Sequence, residues 1–436
     1  MPHRWLCKWA GYGLDLAPME YQLRSSSQAG PGRVWVKPAR QSIVAAGWLL
    51  LALASAAAAP AAPAAAADSF SVLINPGDEA EQSRFATFSA WKAIVEQSLR
   101  AERSPAVKLT PSTDAAADLS ATRARLFDLF VAPAHVVGSA VRYGYVPVAS
   151  VEKPVQAVLV AFSSSPISSL ESAAGKRLGL PQQDSIVTYL LRGELNAANS
   201  TVKRHFASVV ESRYQDALLI CLQIKRCDVV AVERAVFDRW VAAGEPLKVV
   251  MQSKAVPGFG VALKPGSTLA PDALRAALAK NLAVAPGAFG AQKLQPLVAK
   301  DFDYVSTLGY FTPRSLPGAA VVDAAAVAQL LKAGALLFDT RNDVEFKAGH
   351  IAGAQLLPYG EKSAKDADFK VSEDAFDVSK LPADKAKPLV FACNGAECWK
   401  SFKASHAALK AGHSKVYWFR GGFPEWRAAN LPVETQ

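Results

Sequence analysis

LVFACNGAECW, residues 389–399, decides how this chain reads: a short apolar run ends in Cys393, and a tight polar loop leads to a second cysteine, Cys398. Apolar residues closed by turn-forming ones are a buried strand meeting a loop, so the Cys393 thiol is delivered at a strand end. Backbone N–H groups of a loop curled around sulfur, followed by a helix start near Lys400 or Ser401, lower a thiol pKa and favour its anion. The pattern marks Cys393 as a nucleophile, with Asn394, Gly395, Ala396, Glu397, Trp399, Lys400 and Ser401 forming its surroundings. Cys398 is placed either to attack a persulfide at Cys393 Sγ, closing a disulfide and releasing the outer sulfur in reduced form, or simply to lock the site under oxidation.

Two further blocks frame this loop: FDTRNDVEFKAGHIAGAQLLP at 338–358 and VYWFRGGFPEWRAANLPVE at 416–434. The ordered motifs are Asp-x-Arg after a strand, Gly-His-Ile-x-Gly-Ala, the strand with its cysteine, and Gly-Gly-x-x-x-Trp. Together they resemble the rhodanese domain, over about residues 321–433. The resemblance implies a three-layer α/β domain and a sulfurtransferase that takes sulfane sulfur from a donor such as thiosulfate as a persulfide on Cys393 and passes it to an acceptor. The family loop reads Cys-x-x-Gly-x-Arg; here Gly395 comes one position early, Glu397 adds a negative charge, and Lys400 stands nearest the Arg position. Asp339 and Arg341 read as a buried ion pair or loop clasp, His350 as structural, and Trp399, Trp418 and Trp426 as packing residues.

The 436 residues leave room for two or three compact units. Net charge is +10, with no Lys/Arg run or basic helix, which argues against nucleic-acid binding and allows a weak preference for anionic small ligands. Residues 43–59, IVAAGWLLLALASAAAA, follow Arg33, Lys37 and Arg40 and precede an Ala/Pro tract. A basic flank, a short apolar core and small residues read as a secretory signal with cleavage after Ala67, with an uncleaved membrane anchor as the competing reading, so the mature chain is expected in the periplasm and meets a membrane only through that segment. Cys7 is expected to leave with it. Cys221 and Cys227 suit either a short-loop disulfide or two buried thiols. No His/Cys spacing suggests a metal, and no cofactor is expected.

From 68 to about 312 apolar strands alternate with amphipathic helices, which predicts an α/β fold with a mostly parallel sheet and ligands at strand carboxyl ends against helix N-termini. The segments DLFVAPAHVVGSAVRYGYVPVA from Asp128, GKRLGLPQQDSIVTYLL from Gly175, RYQDALL from Arg213, CDVVAVE from Cys227 and LKVVMQSKAVPG from Leu247 resemble type II periplasmic binding proteins, in the phosphonate/phosphite/phosphate branch serving ABC importers. The resemblance implies two α/β lobes closing on a small oxyanion, and an ABC permease as partner. It places Ala134, His135, Val136, Ser185, Thr188, Tyr214 and Asp228 near that ligand, with the backbone N–H groups of Ala134 to Val136 turned toward it and His135 exposed at a helix start.

The expected layout is a leader at 1–67, a solute-binding domain at 68–312, a linker at 313–320 and a rhodanese-like domain at 321–436. The functional expectation is an exported sulfurtransferase fused to an oxyanion-binding domain, with a sulfur-containing ligand and a sulfur acceptor protein as further partners. The alternative is a non-enzymatic solute-binding component with an inactive or redox-sensing rear module. Anion binding is expected to survive loss of the rear domain.

Overall fold

The computed structural model describes residues 69–78, 81–101, 106–284 and 293–436. The apolar run at 43–59, the cleavage point after Ala67 and Cys7 lie outside them. The first lobe is built on a six-stranded sheet in the order Leu294–Pro296, Val146–Val151, Gly260–Leu263, Leu129–Ala132, Phe70–Ile74, Val107–Pro111. The second has five strands, ordered Ser208–Ser212, Arg177–Pro181, Val229–Glu233, Ala157–Phe162, Leu247–Gln252.

Both sheets are mixed rather than mostly parallel. Gly260–Leu263 runs antiparallel to both neighbours, and so does Ala157–Phe162. The reason is that the chain changes lobes twice, after Val151 and again after Gln252, and enters each sheet against the direction of the strands beside it. The two crossings pair with each other at Val155 and Val256, forming a two-stranded hinge.

Helix Glu81–Ala101 buries Trp91, Ile94, Val95 and Leu99, a stripe with the helical period, against Leu274, Leu278 and Leu282 of helix Pro271–Ala283. Helix starts are fixed by side-chain caps: Asp114 accepts from Ala117 N–H, and Ser185 accepts from Val187 N–H. A disulfide joins Cys221 to Cys227 at the turn before strand Val229–Glu233, which resolves the two readings of that pair.

The rear domain has a five-stranded, all-parallel sheet in the order Ala319–Val321, Val416–Phe419, Leu389–Ala392, Leu336–Asp339, Gln355–Leu356. Its central strand alternates: Val390 and Ala392 pack under helices Ala324–Lys332 and Gly422–Ala428, while Leu389 and Phe391 pack under Trp399–Lys410. Helices on both faces make the expected three layers.

One apolar cluster runs without a break from the second lobe into the rear domain, joining Tyr189, Leu191, Tyr310 and Leu316 to Phe369, Trp399, Phe402 and Trp418. The stretch expected as a linker is itself packed: Leu316 is buried, and Arg420 donates to the carbonyls of Thr312 and Pro313.

Asp339 and Arg341 form a buried ion pair at 2.6 Å, and Arg341 also donates to Gly349 O and lies over the Phe423 ring. Both side chains are almost fully buried, so removing one leaves the other charged and uncompensated. Arg341→Met is expected to destabilise the protein by about 3–5 kcal/mol, measured by urea unfolding, with part of the loss recovered when Asp339→Asn is added.

Candidate functional sites

The cysteine loop forms as the alternating strand Leu389–Ala392 ends and helix Trp399–Lys410 begins, one or two residues before the expected start. Gly395 has φ +87°, and Gly422, at φ +57°, lies so close that a Cβ there would stand 2.1 Å from Cys393 O. Phe423 N–H donates to that same carbonyl.

Two expectations for this loop are corrected. The Cys393 thiol is not free at the strand end: Cys393 is 1 % exposed and Cys398 5 %, and the two sulfurs are joined in a disulfide. The front domain covers them. Thr312 donates to Ala396 O through both its backbone N–H and its hydroxyl, at 2.8 Å each, and Trp399 Nε1 donates to Tyr310 O at 2.7 Å.

Nor does Glu397 charge an open cradle. It is buried, accepts from Tyr143 O–H and presses against Gly309, within Coulomb reach of the buried Arg123. Burial, then Glu397, pushes the Tyr143 phenol up to about 12, which keeps it a donor.

Other loop residues are committed structurally. Asn394 is fully buried; it donates to Glu345 at 2.6 Å and to Ser120 Oγ of the front domain at 3.1 Å, and accepts from Arg341. Ser401 Oγ accepts from Trp418 Nε1, while Lys400 remains partly exposed. His350 is buried, stacked on Phe346 and bonded to Phe346 O.

The second site is a cavity of about 710 Å³ where the lobes meet. Helix Ala134–Arg142 and helix Ile186–Ala197 start at its wall, with His135 and Ser185 among the lining residues. The lobes are drawn together there. His135 Nε2 donates to Asp184 O at 2.8 Å, and Gln215 Nε2 donates to Asp78 Oδ1 at 2.8 Å. Burial raises the pKa of the Asp78 carboxyl even against its hydrogen bonds, which favours the neutral acid.

Several expected ligand residues are placed differently. His135 is 3 % exposed, because the second lobe folds over it. Val136 N–H is committed to Pro133 O inside the helix, and Ala134 is buried. The Thr188 hydroxyl donates to Pro181 O and Gln182 O, bracing the turn before its own helix. Tyr214 stands between Arg84 and Arg213, 5.7 and 5.6 Å from their guanidinium carbons, and does not line the cavity. Asp228 is tied to Arg177 N, Nε and Nη2 at the amino end of strand Arg177–Pro181, whereas the cavity lies beyond its carboxyl end.

The cavity wall also contains groups that sequence reasoning missed: Asp78, Arg84, Arg213 and, from the rear domain, Lys362, Ser363 and Lys365. Arg84 had a readable signal, a basic residue in the first turn of helix Glu81–Ala101, but the rear-domain residues had none.

Residues 77–302 match the family described as "ABC transporter, phosphonate, periplasmic substrate-binding protein", and residues 323–429 match the rhodanese-like domain. The first match takes in more than half of the chain, so the protein belongs to the phosphonate-type periplasmic substrate-binding proteins, and it carries a rhodanese-like domain behind that unit.

Among solved structures, a binding protein component of an ABC phosphonate transporter from Pseudomonas aeruginosa is similar at 17% identity, covering 55% of this chain and 86% of that one, with a TM-score of 0.44. PhnD1 from Prochlorococcus marinus, in complex with methylphosphonate, is similar at 14% identity, covering 55% of this chain and 97% of its own, with a TM-score of 0.45. No curated protein matches the chain.

His135 gives the front domain a pH signature. Burial lowers its pKa to about 4, against the bond to Asp184 O, with Lys365 adding to the shift. Its folded pKa lies below the unfolded value, so its contribution to stability is full above about pH 6.5 and is lost as pH falls toward about 4. Asp118 acts oppositely. It accepts from Asn75 and Ser112, yet burial raises its pKa to about 7, so its contribution is full below about pH 4 and is lost as pH rises through about 7. Thermal unfolding between about pH 4.5 and 7 should therefore tilt toward greater acid stability in His135→Gln and toward lower acid stability in Asp118→Asn, relative to the parent.

Proposed function

We propose that this protein captures a small oxyanion in the interlobe cleft, in the periplasm and in the service of an ABC permease, and that its rear domain is a sulfurtransferase held in reserve. The cavity carries the first half of this reading. Two helix starts reach its wall beside Arg84 and Arg213, and helix N-termini with guanidinium groups stabilise anions. Localisation rests on the family match and on the apolar segment at 43–59 with its basic flank.

The sulfurtransferase half rests on the position of Cys393 between strand end and helix start. Its chemistry needs an external dithiol first, which reduces the Cys393–Cys398 bond by two electrons and is itself oxidised to a disulfide. The Cys393 thiolate then attacks the outer sulfur of thiosulfate, the S–S bond of the donor breaks, sulfite leaves with the electron pair, and Cys393 carries the persulfide. A second reading, in which the rear domain only senses redox state, is favoured by the disulfide and by the burial of its loop.

A panel of sulfate, thiosulfate, phosphate, phosphite and methylphosphonate at about millimolar concentration should contain one member that raises the melting temperature, since a ligand bound only by the folded state stabilises it. The shift should shrink in Ser185→Ala. No shift with any of them removes the oxyanion reading.

After reduction, thiosulfate should add the mass of one sulfur to the parent and none to Cys393→Ser. If the reduced parent gains no sulfur, the redox-sensing reading stands instead.

A further inference from the structure

The cleft of the front domain is not built by the front domain alone. Residues Glu361 to Lys365 and Glu373 of the rear domain line the same cavity as Arg84 and the helix start at Gln182 to Ser185. Within this segment Lys365 is the residue that faces the anion-binding elements most directly. Its ammonium pairs with Asp184 at 2.5 Å, and its backbone N–H donates to Gln183 Oε1 at 3.2 Å. The pair is largely withdrawn from water, with the two side chains 10 % and 15 % exposed.

The segment is also rigidly held. Ser363 donates to Asp374 through its N–H and its hydroxyl, at 2.6 Å each, and accepts from the fully buried Lys403 through its carbonyl and hydroxyl oxygens. Lys403 in turn pairs with Glu361 at 2.8 Å. Lys365 therefore projects from a fixed platform rather than from a loose loop, and fixing it in advance reduces the entropy lost on binding.

The wall is of mixed charge: Asp184 and Glu361 are paired with lysines, burial holds Asp78 toward its neutral form, and Asp114, Glu211 and Glu373 also line it, with Arg84, Arg213, Lys362 and Lys365 as its cations. On the cationic side, Arg84 lines the cavity at 7 % exposure with its Nε lacking a hydrogen-bond partner among the described residues. A buried donor without a partner costs free energy that a ligand oxygen would recover. Arg84 from the front domain and Lys365 from the rear domain, once a ligand displaces Asp184 from it, would set a cation from each domain beside the start of helix Ile186–Ala197, which suits a ligand with several oxygens around one centre.

We propose that Lys365 of the rear domain is a ligand-binding residue of the cleft, taking one oxygen of a tetrahedral oxyanion while Arg84 of the front domain takes another. The inference rests on the oxyanion reading above and refines it: the site is complete only in the fused chain, against the expectation that binding survives loss of the rear domain. Asp184 then competes with the ligand for Lys365 and sets the affinity from below.

Titration calorimetry on the full chain with methylphosphonate, inorganic phosphate and thiosulfate tests this. For a probe that binds the parent, Lys365→Met should weaken binding about ten- to a hundredfold, as expected for loss of a charged hydrogen bond in a desolvated place. Lys365→Arg should restore most of the affinity, and Asp184→Asn should tighten binding by releasing the lysine. Affinity should also fall less steeply with added salt in Lys365→Met than in the parent.

Equal affinity in Lys365→Met and the parent overturns the inference while leaving the oxyanion reading intact. If Lys365→Met does not fold, Asp184→Asn decides: tighter binding supports the assignment, and unchanged or weaker binding overturns it as a mere tether between domains. If the parent itself binds none of the probes, the oxyanion reading fails and this inference fails with it.

Discussion

The seating of the front domain on the cysteine loop is the constraint from which the rest of this structure follows. Two hydrogen bonds from Thr312 hold the Ala396 carbonyl, and the Trp399 indole is anchored on Tyr310. Arg427 reaches back to the carbonyls of Arg123 and Ala124, and Asn394 joins Ser120 to Glu345. These bonds are made in a region largely without water, where a satisfied polar contact is stronger and an unsatisfied one is expensive. Peeling the rear domain away would break all of them at once and expose Trp399 and Phe402, so uncovering the sulfur is a domain-scale event rather than a side-chain movement.

That burial changes what the cysteine pair can do. A thiolate is the reactive form, and an apolar, enclosed setting disfavours an anion unless fixed dipoles compensate for lost water. In the covered state the pair is held as a disulfide, the uncharged form such surroundings accept.

The sequence carried the parts of this picture that depend on neighbours along the chain. Leu389 to Ala392 reads as a strand because its apolar residues are contiguous, and the loop after it brings Cys393 near Cys398 within a few residues. Strand direction was less legible: the alternation of strands and helices in the front domain implied parallel sheets, yet two crossings between lobes reversed Gly260–Leu263 and Ala157–Phe162. The misplacement of Asp228 has a similar origin, since which end of a strand faces the cleft is a property of the whole sheet. Lys365 was illegible for a stronger reason. It is a lysine in a polar stretch far along the chain from Asp184, and only the docking of the two domains gives it a partner.

A packed route joins the two sites. His135 lies 5.0 Å from the Tyr189 ring, Tyr189 lies 5.5 Å from Tyr310, Tyr310 O holds Trp399, and Trp399 and Trp418 both pack on Phe402. Spatial contiguity of this kind is not by itself coupling; coupling needs an element with two arrangements that both sites bias. The docking interface is where the two sites meet, since Lys365 lines the cavity while Thr312 and Tyr310 hold the cysteine loop, and it is therefore the element at which coupling would have to be sought.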